Sequence, residues 1–101
     1  MARVTAELGD TRGMIVDVRA NEGGWDVVSL ENAAWFAGDR SLAWTERRRD
    51  GLAHDDFTPW TSVFVDAARP GAYAGPVVLL TSGGTFSAGD TFVLAMRAAI
   101  A

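Results

Sequence analysis

One pattern occurs twice in this chain of 101 residues and limits what it can fold into. An apolar run leads into a short polar segment, a pair of glycines follows, and residues at helical spacing come next. The first copy runs from Met14 to Ala37, the second from Val77 to Ile100. Met14-Ile15-Val16-Asp17-Val18 and Val77-Val78-Leu79-Leu80 are short and mostly apolar, as strands buried in a parallel sheet are. The spacing is too irregular for a solenoid. It suits two parallel strands whose C-terminal ends point the same way. Glycine-rich loops at such ends are the usual ligand position in α/β sheets.

The remaining elements follow from period and punctuation. Val4 and Leu8 share a helix face over Ala2 to Leu8, with Gly9 as the stop. Asp26 is placed to N-cap a helix running to about Ala37 and ended by Gly38, with Val27, Leu30, Ala34 and Trp35 facing the core. Leu42, Trp44 and Glu46 alternate with Ala43, Thr45 and Arg47 as in a half-exposed strand. Asp50-Gly51 signals a turn, and Phe57 to Asp66 is extended, with Pro59 restricting its start. Pro70-Gly71 and Gly75-Pro76 are further turns. Ala88, Phe92, Ala95, Met96 and Ala99 mark the last helix, which carries no stop signal. Both ends therefore read as cut from a longer chain, so residues 1–101 are one partial domain. The face around Ala95, Ala99 and Ile100 is expected to be bare, and to bring about a homo-oligomer or packing on the rest of the domain.

Composition excludes several functions. A net charge of −4 argues against binding a phosphate backbone, hence against a nucleic-acid partner. No apolar window is long enough for a membrane span, and the first residues are not a signal segment; the compartment stays open. Without cysteine there are no disulfides or thiolate metal ligands. All nine basic residues are arginine, which stays protonated and cannot serve as a general base.

Few residues can carry chemistry. Ser87 stands at the mouth of the last helix, directly after the glycine loop "TSGGTF". It is either a nucleophile held near helix amides or a plain N-cap. The segment Gly84 to Gly89 is one residue too long for the G-x-S-x-G elbow of α/β-hydrolases. Gly23 and Gly24 either form a flexible connection or let backbone amides approach a substrate carbonyl. His54, the only histidine, lies beside Asp55 and Asp56 in a polar loop, which is too few ligands for zinc. Asp90 suits the first turn of a helix. Arg47-Arg48-Arg49 suits a solvated hairpin end, and the tryptophans at 25, 35, 44 and 60 suit core or interface packing.

Together, "RGMIVDVRANEGG" at 12–24 and "GPVVLLTSGGTFSAGDTF" at 75–92 resemble the carboxyl-terminal processing (tail-specific) serine proteases, a family that includes the tricorn protease core. The family's D-x-R-x-N-x-G-G pattern is matched by Asp17, Arg19, Asn21, Gly23 and Gly24. Its G-P-V strand and T-x-S-A motif are matched by Gly75, Pro76, Val77, Thr85, Ser87 and Ala88, with Asp90 where glutamate is commoner. The resemblance implies an α/β, crotonase-like (ClpP-type) domain of strand–strand–helix units. It implies Ser87 as nucleophile, with amides of Gly23, Gly24 and Ala88 holding the oxyanion, a polypeptide substrate, and no cofactor or metal. The base of such enzymes, a lysine downstream or a histidine upstream, would fall outside residues 1–101, leaving this piece inactive alone. Two other functions fit the same pattern: a non-catalytic crotonase-like module for peptide binding or assembly, and an acyl-transfer enzyme of that fold.

Overall fold

In the computed structural model, which describes residues 1–101, the two apolar runs pair with each other. The chain order is α1 (Ala2–Leu8), β1 (Met14–Asp17), α2 (Asp26–Ala33), β2 (Ser41–Glu46), β3 (Thr61–Val65), β4 (Val77–Leu80) and α3 (Ala88–Ala99). Strands β1 and β4 are parallel, in register from Met14↔Val77 to Asp17↔Leu80, so their C-terminal ends lie at one edge. The β2–β3 hairpin forms a separate antiparallel sheet. Both sheets and both longer helices make the fold a mixed α/β one.

Helix α3 organises the core. Phe92, Ala95, Met96 and Ala99 recur at helical spacing and are all buried, against α2, the hairpin and the inner face of the parallel pair. That inner face carries Met14, Val16, Val77 and Leu79. On the outer face the register partners Ile15 and Val78 stand side by side, 69% and 55% exposed. The bare apolar pair is therefore on the parallel sheet. Of the face expected to be exposed, Ile100 is, but Ala95 and Ala99 are covered because α3 turns that stripe onto the hairpin and α2.

Other expectations are corrected in detail. Helix α2 stops at Ala33, four residues early: past it the ladder tightens to bonds spanning three residues, Trp35 N–H to Asn32 C=O at 3.2 Å and Phe36 N–H to Ala33 C=O at 2.9 Å, and Trp35 C=O then accepts the Tyr73 N–H at 2.8 Å. Trp25 occupies the N-cap, and the Asp26 carboxylate instead accepts the Thr91 hydroxyl at 2.7 Å. Val27 faces solvent, since α2 turns Ser29 and Ala33 inward. A bulge between Leu42 and Trp44 breaks the alternation of β2 and leaves Leu42 exposed. Phe57 pairs only through an isolated bridge with Arg49, so regular β3 begins at Thr61, after Pro59. No helix is long and apolar enough to cross a membrane.

Candidate active site

The loops after β1 and β4 meet because short hydroxyl side chains of the second bond carbonyls of the first. Thr85 Oγ1 donates to Val18 C=O at 2.8 Å, and Ser82 Oγ to Arg19 C=O at 2.6 Å. The Phe86 N–H donates to Asn21 C=O at 2.9 Å. Gly84 permits the approach, since a Cβ there would stand 3.1 Å from the Arg19 carbonyl oxygen. Ser82 and Thr85 also bond within their own loop, through Gly84 N–H and Ser82 N–H, which fixes the hydroxyls. At the end of β1 the Arg19 guanidinium clasps both oxygens of Asp17, the shortest contact being 2.7 Å. Those hydrogen bonds, with one from the Arg19 N–H, hold the Asp17 carboxyl down at about 2.

Ser87 lies where the second loop turns into α3. Its φ of 54° and ψ of −124° make it the only non-glycine residue with positive φ. Such a conformation is costly for a side chain with a Cβ and persists only where surroundings impose it. Ser87 occupies the N-cap position of α3, but its hydroxyl makes no capping hydrogen bond. A sharp, strained strand-to-helix turn presenting a serine is what the α/β-hydrolase elbow achieves, here reached with different spacing.

The first loop presses against this turn. A Cβ on Gly23, whose φ is 127°, would stand 2.8 Å from Ser87 Cβ and 3.3 Å from Oγ. Gly23 is thus required for closeness. Its N–H is already committed to Asn21 Oδ1 at 2.9 Å, whereas the N–H groups of Gly24 and Ala88 donate to no atom of the chain. Gly24 and Ala88 border one cavity of about 240 Å³, walled by Val16, Val18, Val28, Phe36 and Phe92. Ser29 and Asn32 add polar groups to it, and Ser29 Oγ donates to Ala88 C=O at 2.7 Å in a buried bond. Ser87 itself lines a neighbouring open cleft, with Asp26, Asp90 and Thr91.

The structure therefore brings Ser87, Gly23, Gly24 and Ala88 together and leaves His54 out. His54 lies in an exposed loop, lines neither space beside Ser87, and offers its backbone carbonyl to Arg49. No group of three His, Asp or Glu side chains is placed to hold a metal. Arg47 stacks on Phe57 and Trp60, at 4.0 and 4.7 Å, so the arginine run braces the hairpin end. Sequence reasoning gave no role to Ser29 or Ser82; a lone serine carries no signal of a partner roughly sixty positions away.

Comparison with known proteins gives the family of the chain. The sequence profile of Peptidase family S41 matches residues 1–99. A solved structure of a candidate peptidase from Parabacteroides merdae superimposes with a TM-score of 0.86 at 31% identity. The alignment covers 95% of this chain and 30% of that one, so the chain spans less than a third of its relative. No curated protein matches the chain.

Proposed function

Because the chain belongs to peptidase family S41, the carboxyl-terminal processing proteases, and so to the serine peptidases, we propose that Ser87 is the nucleophile of a tail-specific endopeptidase site. The observation that carries this is the strained, uncapped Ser87 turn held between Gly23 and Ala88. In this reading Ser87 Oγ attacks the carbonyl carbon of a peptide bond. The oxygen, now an anion, takes hydrogen bonds from the N–H groups of Gly24 and Ala88. The C–N bond then breaks, the amine leaves with a proton, and water hydrolyses the acyl-enzyme to free Ser87 again. The apolar cavity between the two donors receives the side chain on the acyl side of the cut.

The base that removes the Ser87 proton is not among these residues. The chain has no lysine, and its one histidine does not line the cleft that Ser87 borders. We assign the base to the remainder of a crotonase-like domain of which this chain supplies the nucleophile and oxyanion loops. The parallel pair with its following helices fits that architecture.

The test uses the full-length protein and a peptide reporter. Ser87→Ala is expected to abolish turnover without lowering the thermal midpoint. Gly24→Val, which displaces one oxyanion donor, should lower kcat about 100- to 1000-fold. Residues 1–101 alone should show no turnover. A Ser87→Ala protein that still cuts the reporter would end this reading.

A further inference from the structure

The geometry points to Asn21 as a positioning residue of the oxyanion site, an inference that rests on the serine-peptidase reading above. Three observations on one residue lead there. Asn21 Oδ1 accepts the Gly23 N–H at 2.9 Å, and Asn21 C=O accepts the Phe86 N–H at 2.9 Å. The residue therefore grips its own loop with its side chain and the nucleophile turn with its backbone. The third observation separates this from an ordinary Asx-turn that merely ends a strand. Helix α3 has no side chain where Asn21 sits: a Cβ on Gly89 would come 2.7 Å from Asn21 O and 3.1 Å from Oδ1. The first turn of α3 is thus hollowed to admit Asn21.

The chemical consequence concerns which amide is left over. A Gly23 N–H turned to Asn21 is committed there and not free for a substrate oxygen, and the peptide plane it belongs to is held. The next amide, Gly24 N–H, is then the donor the loop presents, with Ala88 N–H across from it. Asn21 touches no reacting atom. It acts by fixing the plane from which the donor projects, and catalysis is sensitive to such placement. A displacement of about 1 Å can cost roughly 100-fold in rate.

The experiment compares Asn21→Ala, Asn21→Ser, Gly89→Ala and Ser87→Ala in the full-length protein. Readouts are kcat, KM, thermal midpoint and affinity for a peptidyl boronic acid, which forms a tetrahedral adduct on a serine. Asn21→Ala is expected to lower kcat about 10- to 100-fold with KM changed by less than about twofold, the mark of an interaction that matters only in the transition state. Boronate affinity should fall with kcat. Binding of uncut peptide, measured in the Ser87→Ala background, should not change. Asn21→Ser should restore part of the rate, since a hydroxyl at that position can accept the same amide more weakly. Gly89→Ala, which evicts the asparagine, should reproduce the Asn21→Ala loss. Two results overturn the inference while leaving the peptidase reading intact. One is unchanged kcat in Asn21→Ala beside an inactive Ser87→Ala protein. The other is equal loss of boronate and peptide binding together with a lowered melting point, which means general loosening. An active Ser87→Ala protein overturns both readings.

Discussion

Ser87 is held in a conformation that costs it free energy, and the cost can be measured. A non-glycine residue at positive φ carries roughly 1–3 kcal/mol of strain, against about 0.5–1 kcal/mol for the added freedom of a glycine in the unfolded chain. Ser87→Gly should therefore stabilise the chain by about 1 kcal/mol, a rise in melting temperature of roughly 4–8 °C for a domain of this size. Calorimetry on the two proteins checks it; a lower midpoint for the glycine variant means the turn stores no strain. The residues of the candidate site stand out by their order along the chain: two motifs point to Ser87, Ala88, Gly23 and Gly24, and the fold brings them close. Their division of labour does not stand out in the sequence. That Gly23 makes room while its amide is spent on Asn21 depends on backbone angles set by contact between distant loops.

At the scale of elements, α2 and α3 are joined near the site by two polar bonds, an exposed one from Thr91 to Asp26 and a buried one from Ser29. Ser29 Oγ donates to the carbonyl of Ala88, the residue whose amide is proposed to face the oxyanion. Removing one partner of a buried hydrogen bond costs about 1–3 kcal/mol. Ser29→Ala should lie near the bottom of that range, because Thr91 Oγ1 also reaches the Ala88 carbonyl at 3.2 Å. Urea unfolding measures the change; an unaltered midpoint would show the bond to be idle. Apolar periodicity located β1, β4 and α3 within a residue or so, since each repeats a single pattern toward one core. It failed at the end of α2, where the last turn tightens and Trp35 bonds its backbone to Tyr73, and at the β2 bulge, where pairing with β3 overrides alternation. Those outcomes are decided by tertiary partners that no local window contains.

As a whole the molecule is elongated, measuring 53 × 28 × 20 Å, with a radius of gyration of 15.2 Å. A compact domain of this length has about 13 Å. Parallel sheets are normally covered on both faces, yet here Ile15 and Val78 lie bare together. Residues 1–101 in isolation are expected to self-associate through that face. Sedimentation velocity should show a dimer or larger species that Ile15→Glu converts to monomer; a monomeric unaltered chain at high concentration would count against it. The links between the two loops carry a different consequence. They join residues 63 and 67 positions apart, and they form only when β1 and β4 have paired. On the reading proposed above, the serine and its Gly24 amide donor come from distant parts of the chain, so an unfinished chain has no cutting geometry of its own: that geometry arises only in the event that pairs β1 with β4.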